Sequence, residues 1–287
     1  MTGSNQATFS IGGDLPVDRI GFGAMRLTRD GMGDAAGRDL ETSRAVLRRA
    51  AELGVNHIDT ADFYRTPDRA TGANDLIRDA LAPYPAGLVI ATKVGPVFGP
   101  GGPSQGGAAD IRPAVEANLA ALGVSRLDLV YLRIGWHQPP HGESLAERFE
   151  ILAGLREEGL IRHLGLSNVD QDHLDEAQRI APVAAIQNRY DPANADEAAL
   201  AARAAGERIA FVPFGPLGSG RGTARDERYA AVARRHGASA AQVALAHALA
   251  LSPSILVIPG TGTIAHLEEN IAARALTLTP GDLASLS

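Results

Sequence analysis

Short apolar segments alternate with amphipathic segments of helical length along almost the whole chain, and this alternation limits the possible folds more than any other feature. The predicted strands are the segment that begins at Ile20 and residues 55–59, 88–94, 127–132, 161–166, 183–187, 209–213 and 255–258. The predicted helices cover residues 41–53, 74–81, 111–122, 145–158, 171–180, 195–205, 224–236, 240–251 and 264–273. Such an alternation favours an α/β fold whose parallel sheet closes into a (β/α)8 TIM barrel over an open doubly wound sheet.

A short hairpin precedes the alternating segments. Residues 7–11 and 15–17 are extended in pattern and flank Gly12-Gly13, which predicts a β-hairpin with a glycine turn at the edge or the end of the sheet. Gly21 and Gly23 follow in an apolar segment. The third glycine and the acidic residue of a dinucleotide-binding βαβ unit are missing there, which argues against a Rossmann domain.

The composition fits one large core. Of 287 residues, 45% are hydrophobic and 21% are charged, and no linker divides them, so we predict a single domain over residues 1–287. A net charge of −6 without a basic cluster argues against a nucleic-acid partner. The absence of cysteine excludes disulfides and thiolate chemistry. No signal-peptide pattern or membrane-length apolar run is present, so we expect a cytoplasmic protein with no membrane partner, a monomer being slightly favoured over an oligomer.

Polar or glycine-rich residues follow the predicted strands at the point where each strand ends. They are Asp59, Lys93, Arg133, Ser167 with Asn168, Gln187, and Phe214-Gly215-Pro216. The carboxyl ends of the strands in such a barrel meet at one face, which is where active sites form. Six coinciding positions therefore indicate one shared site.

Two kinds of chemistry are open to this set. Lys93 could form a Schiff base with a carbonyl substrate, as in an aldolase-like lyase, which would require a free and desolvated amine. Alternatively, Asp59 pairs with Lys93, and the lysine ammonium stabilises the ionised form of the Tyr64 phenol, which makes that phenol a better proton donor. Hydride addition to a carbonyl needs a proton donor because negative charge develops on the oxygen. The second arrangement therefore suits a reductase.

These segments, in this order, resemble the aldo-keto reductase family over essentially the whole chain. Residues 59–64 are similar to the family segment that carries the catalytic Asp and Tyr, here Asp59 and Tyr64, and residues 91–93 resemble the segment of the catalytic lysine, Lys93. The resemblance implies a (β/α)8 barrel whose N-terminal β-hairpin closes the barrel bottom. It also implies NADP(H) as the cofactor and reduction of a small-molecule aldehyde or ketone to an alcohol. From His266 and the threonines beside it we expect NADPH to be preferred over NADH.

The same resemblance implies which residues hold the cofactor. It assigns residues 165–168 and Gln187 to the nicotinamide carboxamide, the Phe214 ring and the backbone after it to the nicotinamide and pyrophosphate, and residues 258–270 to the adenosine and its 2′-phosphate. The complete expected set is Gly23, Ala24, Met25, Asp59, Ser167, Asn168, Gln187, Phe214, Gly215, Pro216, Leu217, Gly218, Pro259, Gly260, Thr261, Gly262, Thr263, His266, Glu269 and Asn270.

Two positions depart from the family pattern. The family commonly has a His at the end of the fourth strand, whereas this chain has Arg133, and His137 on the following loop is the alternative fourth catalytic residue. His266 stands where many relatives have a basic residue against the 2′-phosphate. A neutral imidazole pairs with that anion less strongly than a guanidinium, so we expect greater reliance on Thr261, Thr263 and backbone N–H groups.

The substrate is the least constrained part of the prediction. Residues 99–107 are rich in glycine and proline and indicate a mobile loop over the rim, with Trp136 as an apolar wall. The residues of the rim and of the closing segment resemble those of bacterial reductases that include pyridoxal reductases. Sugars, ketones and aliphatic aldehydes remain possible as substrates. The eight histidines show no metal-ligand spacing, so no metal is expected. A non-catalytic NADP-binding redox sensor and a Schiff-base lyase using Lys93 are the alternative functions.

Overall fold

A computed structural model describes residues 8–29, 38–99, 102–135, 142–190, 195–215 and 226–286. The described chain begins with an antiparallel hairpin of β1 (Thr8–Ile11) and β2 (Leu15–Asp18), in which Ile11 pairs with Leu15. Gly12 and Gly13 form its turn with φ angles of 61° and 87°, a backbone region that glycine adopts without a steric penalty. The predicted hairpin is confirmed.

Seven strands form one parallel sheet. The strands after the first hairpin are β3 (Phe22–Gly23), β4 (His57–Asp59), β5 (Val89–Val94), β6 (Pro96–Gly99), β7 (Gly102–Gln105), β8 (Leu127–Arg133), β9 (Ile161–Ser167), β10 (Val183–Gln187) and β11 (Ala210–Phe211). In the sheet the order is β11-β10-β9-β8-β5-β4-β3, and every neighbouring pair is parallel.

The segment 255–258 closes this sheet into a barrel. Ile255 forms a parallel bridge with Phe211, and Val257 forms one with Ile20. The Gly21 N–H also donates to the Val257 carbonyl at 2.9 Å. The predicted eighth strand thus joins both edges of the sheet through bridges instead of a regular ladder. The predicted TIM barrel is confirmed.

Helices connect the barrel strands, and two more follow the last strand segment. They are α1 (Leu40–Glu52), α2 (Ala73–Leu81), α3 (Ala108–Leu122), α4 (Ala146–Glu157), α5 (Gln171–Ile180), α6 (Ala195–Gly206), α7 (Glu227–His236), α8 (Ala240–Leu251), α9 (Ile264–Ala272) and α10 (Pro280–Leu286). Helix α3 begins a turn earlier than the apolar spacing predicts, because Asp110 accepts the Gly107 N–H at 2.8 Å. Helix α10 was not predicted. Within the described ranges no helix combines the length and apolarity needed to span a bilayer.

The barrel interior and the first hairpin share one apolar cluster. Side chains alternate along a strand, so Leu129 and Tyr131 of β8 face inward while Val130 and Leu132 pack with the helices. Ile11, Leu15 and Val17 of the hairpin belong to the same interior cluster. The hairpin therefore plugs the barrel, and the residues at the strands' carboxyl ends lie at the other rim.

The segment after β5 differs from the expected loop. Its residues form the antiparallel hairpin β6–β7, in which Phe98 pairs with Pro103. The Gln105 side-chain oxygen accepts the Gly135 N–H at 2.6 Å, which fastens the hairpin to the chain just after β8. Gly95 is required beneath it, because its φ is 122° and a Cβ there would lie 2.3 Å from the Arg133 carbonyl oxygen. In place of the expected loop, the described part of residues 99–107 contains a β-hairpin that ends at Gln105; that this segment is mobile stays a prediction.

Candidate active site

A buried ion pair lies where β4 and β5 end. The Lys93 ammonium donates to Asp59 Oδ1 at 2.6 Å and to the Thr60 carbonyl at 2.8 Å. The other carboxylate oxygen accepts the Gln187 amide N–H at 2.7 Å. Asp59 and Lys93 are only 3% and 2% exposed. Burial of two charges is costly unless each is paired and hydrogen-bonded, and this pair meets both conditions.

Tyr64 lies over the lysine. The Lys93 Nζ is 4.9 Å from the centroid of the Tyr64 ring. Backbone bonds hold this tyrosine, since its N–H donates to the Ala61 carbonyl at 3.1 Å and its carbonyl accepts the Ala73 N–H at 2.8 Å. The structure therefore brings together the three residues that the sequence singled out for proton transfer. The phenol is partly buried beside the rim, and the distance from the ammonium to its ring is that of a cation–π contact.

An aromatic pair borders Tyr64. Phe63 packs edge-on against Tyr64, with 5.2 Å between the ring centroids, and stacks on Phe98 of the β6–β7 hairpin at 6.0 Å. The guanidinium carbon of Arg69 lies 4.6 Å from the Phe98 ring centroid. These contacts build an aromatic wall beside the phenol. From the sequence we expected Trp136 to form an apolar wall of the site, but residue 136 lies outside the described ranges.

Arg133, at the end of β8, reaches the same rim. Its guanidinium donates to Ser167 Oγ at 2.9 Å, and its carbon lies 5.3 Å from the centroid of the Phe214 ring. Burial lowers the pKa of Arg133, while the nearby Tyr64 and Asp59 oppose that shift. The group is charged throughout the working pH range because an arginine titrates far above neutrality. His137, the alternative fourth residue, lies outside the described ranges.

Two further buried polar side chains lie beneath the ion pair. Neither ring nitrogen of His57 has a hydrogen-bond partner within the described part of the chain, and the hydroxyl of Tyr131 is fully buried. Burial lowers the pKa of His57 to about 4, and Lys93 adds to this shift against the attraction of Asp59. Burial and the Asp59 charge raise the pKa of Tyr131 well above its ordinary value. Both groups are therefore neutral near pH 7, and the ion pair is the charged part of the site floor.

The residues expected at the nicotinamide carboxamide meet at one rim. Asn168 follows β9 with a positive φ of 59°, and its side-chain nitrogen donates to the Ile134 carbonyl at 2.7 Å. Its backbone N–H donates to the Gln187 carbonyl at 3.1 Å. The Phe214 N–H donates to the Asn188 carbonyl at 2.9 Å, and Gly215 has a positive φ of 67°. Ser167, Asn168, Gln187 and Phe214 are thus neighbours around Arg133, whereas Pro216, Leu217 and Gly218 lie outside the described ranges.

The closing segment lies beside the end of β3. A Cβ on Gly23 would lie 2.6 Å from the Ile258 carbonyl oxygen, and one on Gly260 would lie 2.8 Å from the Gly23 carbonyl oxygen. The two glycines therefore allow the backbones to meet where the barrel closes. Ala24 and Met25 begin the 3-10 helix Ala24–Leu27, in which the Met25 side chain is exposed.

The start of α9 follows the closing segment directly. Thr263 caps the helix by accepting the His266 N–H at 3.3 Å, and Thr261 Oγ1 accepts the Thr263 N–H at 3.2 Å. His266 is exposed, Glu269 is half-buried with its carbonyl accepting the Gln242 amide at 3.0 Å, and Asn270 is buried. Every described residue expected at the adenosine end therefore lies on one short stretch of the chain, made of the closing segment and α9.

Comparison with known proteins decides the family. The sequence profile of the aldo/keto reductase family matches residues 19–287. The chain belongs to the aldo/keto reductase family. Pyridoxine 4-dehydrogenase of Escherichia coli is 40% identical to this reductase over 97% of the chain and 96% of its own length.

Solved structures agree with the fold of this reductase. The glycerol dehydrogenase of Gluconobacter oxydans superimposes with a TM-score of 0.83 at 22% identity, over 98% of this chain and 94% of its own. An aldo-keto reductase of Klebsiella pneumoniae, solved in complex with NADPH, superimposes with a TM-score of 0.78 at 27% identity, over 97% of this chain and 93% of its own. The family prediction and the barrel are both confirmed.

The sequence of this aldo/keto reductase gave no indication of one contact at the closing segment. The guanidinium of Arg38, just before α1, donates to the Gly262 carbonyl at 3.2 Å. The two residues are 224 positions apart, so no motif spacing could have linked them. Among the described residues, no group of three or more His, Asp or Glu side chains is arranged to hold a metal ion.

Proposed function

We propose that this reductase uses NADPH to convert an aldehyde to an alcohol, with Tyr64 as the proton donor. The observation that carries the proposal is the position of the Tyr64 ring above the buried Lys93–Asp59 ion pair. The fixed ammonium beneath the ring is placed to stabilise the phenolate that forms when the proton leaves. General acid catalysis of carbonyl reduction requires such a donor.

Each residue of the buried cluster has its own part in the proposed proton transfer. Tyr64 gives its hydroxyl proton to the carbonyl oxygen as a hydride reaches the carbonyl carbon. Lys93 stabilises the resulting tyrosinate, and Asp59 holds the lysine in place through the 2.6 Å bond. Gln187 holds the second carboxylate oxygen, which prevents the acid from rotating away. Bound NADPH would supply the hydride.

The donor set at the rim fits this cofactor. Ser167, Asn168 and Gln187 offer hydroxyl and amide groups that match the hydrogen-bonding pattern of a carboxamide, and the Phe214 ring offers an aromatic surface. The first turn of α9 contains no acidic residue, and helix N-termini favour anions such as phosphate. The Klebsiella pneumoniae relative with NADPH supports the same assignment.

The substrate proposed is a planar aromatic aldehyde of the pyridoxal type. The name of the Escherichia coli relative, pyridoxine 4-dehydrogenase, supports this class. The wall of Phe63 and Phe98 beside Tyr64 suits a flat ring, because aromatic rings pack favourably on one another. Arg133 provides a fixed cation for an oxygen substituent next to the carbonyl and for the alkoxide that develops during reduction.

The geometry disfavours a Schiff-base lyase. A lysine that forms a Schiff base must present a free amine to the substrate. Here the Lys93 ammonium is 2% exposed and is bound by Asp59 and the Thr60 carbonyl. The lysine is therefore placed to act through its charge.

The test is a cofactor-consumption assay. NADPH oxidation is followed with pyridoxal, a small aliphatic aldehyde, an aldose and a ketone, each with wild type and Tyr64→Phe. We expect the fastest turnover with pyridoxal. NADPH binding without turnover of any carbonyl would instead indicate a redox sensor, and borohydride trapping of substrate on Lys93 would indicate a lyase.

A further inference from the structure

Arg38 packs against the segment proposed to hold the adenosine phosphate. A Cβ placed on Gly262 would come within 2.1 Å of the Arg38 guanidinium carbon, so the guanidinium occupies the space that a side chain at position 262 would take. The guanidinium donates to the Gly262 carbonyl at 3.2 Å and, from its ε nitrogen, to the Arg29 carbonyl at 3.5 Å. These contacts hold a cation against the loop that leads into α9.

The polar groups around this cation are those that an anion needs. Thr261 and Thr263 flank Gly262, and α9 begins directly after them with no acidic residue in its first turn. The first N–H groups of a helix have no partner within it, and the helix dipole makes that end positive. Asp39, next to Arg38, directs its carboxylate to the first turn of α1, where it accepts the Thr42 N–H at 2.9 Å.

We infer that Arg38 is the residue that makes the protein discriminate NADPH from NADH, by pairing with the adenosine 2′-phosphate. This inference rests on the proposed function, since it concerns the same cofactor. In the sequence, His266 was the only side chain considered as a positive partner of the 2′-phosphate, and a neutral imidazole pairs weakly with a phosphate. A guanidinium has a permanent charge and a planar array of donors that fits phosphate oxygens. Arg38 therefore supplies the charge that the closing segment itself lacks.

A purely structural role for Arg38 has a different consequence. If the guanidinium only braces the loop, its loss loosens the site for both cofactors, because NADPH and NADH share the adenosine and the pyrophosphate. If it pairs with the 2′-phosphate, its loss weakens NADPH alone. The ratio of the two dissociation constants separates these cases without any measurement of turnover.

The experiment is equilibrium binding by cofactor fluorescence and calorimetry. Wild type, Arg38→Met, Arg38→Lys and the control Arg48→Met are titrated with NADPH and NADH. They are also titrated with adenosine 2′,5′-bisphosphate and with AMP, which lack the nicotinamide. Arg48 lies within α1 and pairs with Glu41 at 2.9 Å, so its loss removes a surface charge without touching the segment.

In Arg38→Met we expect the NADPH dissociation constant to rise by about tenfold to a hundredfold, the range for loss of a hydrogen-bonded charge pair. NADH and AMP binding should change by less than about twofold, and the bisphosphate should weaken as NADPH does. Arg38→Lys should recover part of the loss, and Arg48→Met should match wild type. The NADPH preference of wild type should also shrink as salt is added, because ions screen exposed charges.

Two results would overturn the inference in different ways. An unchanged NADPH to NADH ratio in Arg38→Met, or an equal loss for both cofactors, assigns Arg38 a bracing role and leaves the proposed function intact. A wild-type protein that binds neither nucleotide, or prefers NADH, contradicts the proposed function itself. Thermal unfolding of each variant shows whether the start of α1 remains folded.

Discussion

The guanidinium carbon of Arg133 lies 5.3 Å from the centroid of the Phe214 ring. The same group donates to Ser167 Oγ at 2.9 Å. Both partners are residues proposed to contact the nicotinamide, so the position that commonly holds a histidine in this family here holds a cation at the edge of the cofactor site. Substrate and cofactor would therefore meet the same fixed charge.

Tyr64→Phe removes the proposed proton donor while it keeps the aromatic ring above Lys93. We expect turnover to fall at least about a hundredfold, because a positioned general acid contributes about that much or more. NADPH binding, measured by fluorescence titration, should be unchanged. Near-normal turnover in this variant would remove Tyr64 from the mechanism.

Arg133→Ala removes the cation that contacts Ser167 and the Phe214 ring. We expect kcat/KM for pyridoxal to fall by about tenfold to a hundredfold, with a raised KM, since the lost group would bind the substrate oxygen and stabilise the alkoxide. A small aliphatic aldehyde, which lacks that oxygen, should lose less. His137→Ala is the matched variant and should leave the pH–rate profile unchanged. The reverse pattern, with a silent Arg133→Ala, would make His137 the fourth catalytic residue.

Phe98→Ala truncates the outer ring of the aromatic wall. A stacked aromatic pair is worth about 0.5–1.5 kcal/mol beyond its buried area, so we expect KM for aromatic aldehydes to rise by about threefold to tenfold. The KM of a small aliphatic aldehyde should change little. Phe9→Ala, on the hairpin at the opposite end of the barrel, is the control. Equal effects on both substrates would show that Phe98 supports the fold and not the substrate.

His57 should give the protein a pH-dependent stability. Its pKa in the folded state is about 4, below the ordinary value of 6.5, so the unfolded chain takes up the proton first as pH falls. The stability from a neutral His57 is complete above pH 6.5 and is lost as pH falls towards 4, by up to about 3 kcal/mol. We expect the free energy of unfolding, measured by urea titration at several pH values, to change less with pH in His57→Leu than in wild type. If the free energy of unfolding changes equally with pH in both proteins, another group causes the pH dependence.

The sequence was sufficient for the barrel and for the meeting of Asp59 and Lys93 at one rim because these follow from local periodicity. Tyr64 lies on the loop after Asp59, and its role followed from the family resemblance. Parallel strands of a barrel end at one rim, so residues at strand ends meet whatever their separation in the chain. The β6–β7 hairpin could not be predicted this way, since its glycines and prolines read as a loop and its position depends on the Gln105 bond to Gly135. The contact of Arg38 with Gly262 joins two connecting segments, where no periodicity constrains the partners.

The plug formed by the first hairpin has a kinetic consequence. With Ile11, Leu15 and Val17 packed into one end of the barrel, molecules reach the buried acid and lysine from the opposite rim. The Gln187 side chain, proposed to hold the nicotinamide, is 1% exposed, whereas Tyr64 is partly open. A molecule that binds deeper must enter before one that binds above it, and it must leave afterwards. If the cofactor binds at Gln187, as proposed, and the substrate binds above it beside Tyr64, we expect the cofactor to bind first and to leave last in each catalytic cycle.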